Sequence, residues 1–240
     1  MTGEVASGYL TVHGRNFGYG SGVSDDLEIR PLSSDRSADL FALLGERSGY
    51  WGCWCQWFRV TNAGYQQRGS VGNKAAMTDL IADERTPGLL AYRDGAPVGW
   101  VSIAPRREFE RIAGDPETAM NEELAQPEAS PVWSVTCFVV SKTARGTGIA
   151  RSLLAAAIDF AREQGAQVVE AYPVEPNGRT SADNAFIGVR SMYENAGFEE
   201  VGRFDRWRGA PPAARGAPVK MTRPPGRPVM RLVVGDGSVV

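Results

Sequence analysis

Six consecutive residues, Arg145-Gly146-Thr147-Gly148-Ile149-Ala150, carry the strongest chemical signal in the chain. They follow an apolar stretch from Val132 to Val140 and open a segment in which Ile149, Leu153, Ala157 and Ile158 share one helical face. A buried strand therefore feeds a glycine-bearing turn and then a helix, predicted over 146–164 with Gly165 as its C-terminal cap. The first N–H groups of a helix lack internal partners, and its dipole makes that end mildly positive. Glycine at 146 and 148 clears side chains from the turn, so an anion can touch the backbone. The pattern is a phosphate cradle.

Two well-known phosphate patterns fit less well. The triphosphate loop G-x-x-x-x-G-K-[ST] is absent. The dinucleotide fingerprint G-x-G-x-x-G accepts Gly146 and Gly148 and finds acidic Glu170 on the next strand. Its third position is Arg151, where close helix–strand packing needs a small residue.

The elements that must hold this cradle alternate along the chain. A short strand is expected over 27–30 and a helix from the Ser33-Ser34-Asp35 caps to about Arg47. A second helix is expected over 73–84, then strands over 88–92 and 97–103 joined by an Asp94-Gly95 turn. After the cradle come a strand over 168–172, a helix over 182–195, and strands over 198–207 and 229–234. Residues 1–26, with six glycines, read as a flexible tail, and 27–240 as a single domain. That domain includes an exposed acidic excursion over 106–130 and a Pro-rich loop over 209–228.

Composition removes several function classes. With 26 basic against 28 acidic residues the formal charge is −2, which argues against nucleic-acid or anionic-membrane partners. No apolar run approaches the ~20 residues of a membrane helix, and a cytoplasmic location is expected. Cys53, Cys55 and Cys137 are too few for a disulfide framework. They also lack the further ligands that zinc needs, so no metal is expected. The only histidine, His13, lies in the tail, so no histidine base or cysteine–histidine pair is expected.

The cradle segment resembles the signature of the GCN5-related N-acetyltransferase (GNAT) superfamily, Gln/Arg-x-x-Gly-x-Gly/Ala after a strand. Arg145, Gly148 and Ala150 occupy the specified positions, with Lys142 where a proline is usual. Downstream, Asn184 and Met192-Tyr193-Glu194-Asn195-Ala196-Gly197-Phe198 look like the family's N…xYexxGF segment, with Asn184 two positions farther from Tyr193 than usual. The resemblance implies an α/β fold with a mixed central sheet of six to seven strands, splayed at an acetyl-CoA site and flanked by helices. It implies acetyl-CoA as co-substrate. Phe138, Val139 and Val140 would lie along its pantetheine, residues Arg145, Gly146, Thr147, Gly148, Ile149 and Ala150 around its pyrophosphate, and Asn184 beside it.

The implied activity moves acetyl to an amine of a small molecule by direct attack. Tyr193 would protonate the leaving thiolate, and Glu170 is the first candidate for the base, with Glu108, Tyr172 and Glu175 behind it. Trp51, Trp54, Trp57 and Phe58 form either an acceptor wall or ordinary core. A non-catalytic acetyl-CoA-binding regulatory domain, another acyl-CoA or a hydroxyl acceptor remain open, as does the oligomeric state, a dimer included.

Overall fold

The computed structural model describes residues 27–45, 52–113, 131–175, 185–204 and 227–235. The tail, Trp51, Asn184, most of the acidic excursion and nearly all of the Pro-rich loop lie outside them.

Seven strands form one mixed sheet. They are β1 (Leu27–Pro31), β2 (Gly88–Arg93), β3 (Ala96–Pro105), β4 (Val132–Val140), β5 (Val168–Ala171), β6 (Glu199–Phe204) and β7 (Arg227–Val233), in the order β1-β2-β3-β4-β5-β7-β6. Only β4 and β5 pair in parallel. Asp94 and Gly95 both take positive φ, as expected of the two central residues of a tight hairpin turn.

The helices are α1 (Ser37–Leu44), α2 (Asn62–Ala82), α3 (Glu110–Ala113), α4 (Ile149–Glu163) and α5 (Arg190–Glu194). The buried stripe of α4 is Ile149, Leu153, Leu154, Ala157, Ile158 and Ala161. It packs on one face of the sheet against Val101, Ile103, Val135 and Val169. Gly99 sets how close α4 comes: a Cβ there would lie 2.7 Å from Ile149 and 2.9 Å from Leu153. Any side chain at 99 would push back the end of the helix that carries the cradle.

The opposite face holds two clusters. Leu40 and Leu44 of α1 and Met77 and Ile81 of α2 cover Leu90, Tyr92 and Trp100. Trp57, Phe58, Tyr65, Phe109 and Ile112 cover Ala104, Tyr172 and Val229. The start of the 106–130 stretch is therefore not an exposed excursion, because Phe109 and Ile112 are buried.

Two helices differ from expectation. α2 starts eleven residues earlier than 73, capped by Thr61, whose Oγ1 accepts from the Gly64 N–H, and it consists of two helical stretches that meet at Gly69, whose φ of +57° and ψ of −169° are not helical. Of the helix expected over 182–195, residues 182–184 lie outside the described residues, and from 185 on only α5 is helical, because Gly188 is left-handed and Val189 extended.

Candidate active site

Strand β4 and helix α4 build the cradle. A short 3-10 turn, Lys142–Ala144, leads from one to the other, and Gly146 and Gly148 both take positive φ, +80° and +88°. Arg151 and Ser152 are the first residues to bond back into the helix, both to the Gly148 carbonyl. The N–H groups from Gly146 to Ala150 take no partner among the described residues. A Cβ on Gly146 would meet nothing within 4 Å among the described residues. Arg145 folds over the end of β4, its Nε donating to the Val140 carbonyl at 3.2 Å, and Thr147 donates to the Ala144 carbonyl at 2.8 Å. Five backbone donors at the positive end of a fifteen-residue helix fit a pyrophosphate.

The strands separate beside the cradle. Pairing between β4 and β5 ends at Val135 and Ala171, while β4 runs on to Val140. On its other side β4 bulges: Ser102 faces Cys137 and Ile103 faces Val135, leaving Thr136 unmatched. The far half of β4 thus has an edge that β5 does not cover. The segment before α5 enters there, and the Phe186 carbonyl accepts from the Phe138 N–H. A ligand pairing along Phe138 must displace that carbonyl.

Tyr193 sits at this opening on α5. It is fully buried, and its hydroxyl donates to the Ile187 carbonyl at 2.8 Å. Burial, and secondarily Cys137 of β4, push its pKa well above the usual tyrosine range, so the hydroxyl keeps its proton. Arg190, the first residue of α5, pairs with Glu175 at 2.7 Å, Glu194 at 2.6 Å and Glu200 at 2.5 Å. Arg203 of β6 meets the same Glu175 at 2.6 Å. This network ties α5 to β6 and to the chain leaving β5.

The Arg203 and Arg190 guanidiniums hold the Glu175 carboxyl at about 2, below its usual 4.5. A carboxylate with a depressed folded pKa stabilises the protein above its unfolded pKa, and that contribution fades as pH falls towards the folded value. Wild type should therefore lose more melting temperature than Glu175→Gln between pH 5.5 and 2.5. Parallel melting curves would show the pairs to be energetically silent.

Comparison with known proteins settles the family. The model of the acetyltransferase (GNAT) family matches residues 51–198, more than half of the chain. The chain belongs to the GNAT acetyltransferase family. It is an N-acetyltransferase, and this family uses acetyl-CoA. The fold is similar to that of a GNAT-family protein from Desulfovibrio desulfuricans at 14% identity. The alignment covers 87% of this chain and 99% of that one, with a TM-score of 0.51. It is also similar to YncA from Salmonella typhimurium, solved with its cofactor acetyl-CoA, at 16% identity, 90% and 98% coverage and a TM-score of 0.51. Among curated proteins none matches the chain.

In this GNAT chain the face of the sheet opposite α4 carries a buried polar row. Thr136 donates to Ser102 at 3.3 Å, and the Ser134 and Tyr172 hydroxyls are 3.1 Å apart. Tyr172 in turn donates to Glu170. Glu170 is 2% exposed and meets Arg231 at 2.7 Å and Arg106 at 3.5 Å. Burial, with the neighbouring carboxylate, drives the Tyr172 pKa well above the usual range.

The aromatic segment packs tightly. Trp54 lies edge-on to Phe41 and donates to Ser70 at 3.1 Å. Trp57 lies edge-on to Tyr65, with the Arg111 guanidinium 3.9 Å above its ring, and Phe58 is buried beside it. Gly52, Trp54 and Cys55 are all left-handed, which coils the loop inward. Among the described residues no group of three His, Cys, Asp or Glu is placed to hold a metal ion, and no helix is long and apolar enough to cross a membrane.

Sequence reasoning passed over three groups here: Arg59 paired with Glu108, Arg190 as the clamp of α5, and Phe186 on the β4 edge. Only Arg59 left a signal, as an arginine between Phe58 and Val60 at the end of an aromatic run.

Proposed function

We propose that this chain, as one catalytic domain over 27–240, transfers acetyl from acetyl-CoA to an amine of a small molecule by direct attack. The observation that carries the reading is the set of open N–H groups from Gly146 to Ala150, set beside a strand edge that β5 leaves uncovered. Acetyl-CoA supplies the activated acetyl group. Gly146, Thr147, Gly148, Ile149 and Ala150 hold its pyrophosphate through their backbone, with Arg145 and Asn184 alongside, and Phe138, Val139 and Val140 align the pantetheine. The N–H of Phe138, freed from the Phe186 carbonyl, stabilises the developing oxyanion.

As the amine nitrogen bonds to the acetyl carbon, the carbon–sulfur bond breaks. Tyr193 gives its hydroxyl proton to the departing sulfur. The amine's own proton passes to Glu170 through Ser134 and Tyr172, which already stand in hydrogen-bond contact. Trp57 and Phe58 wall the acceptor, with Trp51 and Trp54 farther along the same segment.

The test is thiol release from acetyl-CoA over a diverse amine panel, with calorimetry of CoA binding to wild type and Gly148→Val. Valine at a left-handed position blocks the phosphate and strains the turn. CoA affinity should fall by about 2 kcal/mol or more, the scale of several charge-assisted hydrogen bonds. Unchanged affinity in a folded Gly148→Val protein removes the cradle. CoA binding without amine-dependent thiol release reduces the chain to a binding domain.

A further inference from the structure

Arg59 is an arginine with one of its three guanidinium nitrogens in use among the described residues. Its side chain is 5% exposed, and its Nη1 donates to Glu108 Oε2 at 2.7 Å. Its Nε and Nη2 are buried and have no partner among the described residues. These two nitrogens form one edge of the guanidinium, the side-on edge that meets both oxygens of a carboxylate in parallel. The Nε2 of Gln56, three residues earlier and 2% exposed, is a third buried donor without a partner.

Charge points the same way. Glu108 Oε2 is shared between Arg59 and Arg85, the latter at 2.5 Å, so among the described residues two guanidiniums lie on one carboxylate. Phe109 stacks on the Arg59 guanidinium at 4.7 Å and helps fix its plane. Buried donors without partners are costly, and a buried cation without full compensation more so.

The loop carries these donors to the right place. The sulfur of Cys55, one residue before Gln56, is 3.9 Å from that of Cys137. Cys137 lies on β4 next to Phe138, on the face opposite α4. Arg59 and Gln56 therefore belong to the face of β4 from which an acceptor would approach.

We propose that Arg59, through its Nε and Nη2 edge, with Gln56 Nε2 beside it, binds a carboxylate on the acceptor, so that the substrate class is amines bearing a carboxylate. This rests on the acetyl-transfer reading above and adds the acceptor's anionic group to it. An amine without a carboxylate leaves all three donors unpaired, whereas an amino acid fills them.

The experiment compares kcat/KM for the common amino acids with that for their carboxamides, and calorimetry measures binding of the corresponding N-acetyl amino acids and N-acetyl carboxamides with CoA present. At least one acid should exceed its carboxamide by on the order of 10²-fold, the scale of a bidentate charged pair. Arg59→Lys keeps the charge and loses the two-pronged edge, and should cut that preference to about tenfold or less. Gln56→Met should reduce it several-fold at unchanged melting temperature, which covers the case in which Arg59→Lys folds poorly. Acetyl-CoA affinity should stay the same in both variants.

Equal turnover of acids and carboxamides, or a preference that survives both substitutions, overturns the carboxylate site and leaves acetyl transfer standing. If no amine turns over, calorimetry decides. N-acetyl acids that bind at least tenfold more tightly than their carboxamides, with the difference lost in the variants, support the site, and no difference overturns it.

Discussion

Tyr193→Phe is expected to lower kcat by roughly 10²–10³-fold while leaving acetyl-CoA affinity nearly unchanged. The substitution keeps the ring that packs edge-on against Phe198 at 5.2 Å and removes only the hydroxyl. In the structure that hydroxyl donates to the Ile187 carbonyl and is held in its protonated form by burial. Burial keeps the proton on the hydroxyl until the thiolate develops, as a general acid must. The acceptor of that hydrogen bond belongs to the segment that also places the Phe186 carbonyl on β4. A ligand that displaces Phe186 from Phe138 would disturb Ile187 as well, and would release the tyrosine proton towards the sulfur. Losing the bond to Ile187 should also cost about 1–3 kcal/mol of stability if that carbonyl is left unsatisfied. Single-turnover measurement separates the effects, since it reads the chemical step directly. An unchanged single-turnover rate with a lowered melting temperature would make Tyr193 a core tyrosine.

Local chemistry made the cradle legible in the sequence. Its strand, its two left-handed glycines and its amphipathic helix lie within about thirty residues, and each has a pattern of its own. The strand order was less exposed to sequence reasoning, because β7 inserts between β5 and β6 from the far end of the chain. The first half of α2 was invisible because it has no apolar stripe: Gln66, Gln67 and Arg68 are all exposed, and its N-cap is Thr61. The helix around Tyr193 was overdrawn for the opposite reason. Phe186, Val189 and Tyr193 have helical spacing, but Phe186 and Val189 are used for strand-like contacts, one with β4 and one with Val174. Apolar spacing could not separate those two uses.

The sheet face opposite α4 was the least legible part. Its ion pairs join residues far apart in sequence, Arg59 with Glu108 and Glu170 with Arg231. No local pattern announces such pairs. Glu170 was a reasonable candidate because it sits on the strand beside the opening. Its partners Tyr172, Arg231 and Arg106 emerge only when β5, β7 and the end of β3 are brought together.

Trp54→Ala is expected to destabilise the protein by about 3–5 kcal/mol, as truncation of a large buried aromatic does. For a chain of this size that is a melting-temperature drop of roughly 6–20 °C. The ring is 3% exposed, and three separate contacts would be lost. They are the edge-on contact with Phe41 at 5.5 Å, the hydrogen bond to Ser70 at 3.1 Å and the Lys74 ammonium 5.0 Å above the ring. All three partners lie on α1 or α2, so Trp54 fastens the inward-coiled loop to the two helices that cover this face. Trp57 is different, since it contacts Arg111 and Tyr65 and lies two residues from Arg59. Its truncation should raise the acceptor KM as well as lower stability. Thermal melts beside acceptor titrations distinguish the two tryptophans. A raised acceptor KM for Trp54→Ala at a temperature where the variant is fully folded would place its ring in the acceptor wall. A large loss of melting temperature with the acceptor KM unchanged would confine Trp54 to the core that aims Gln56 and Arg59.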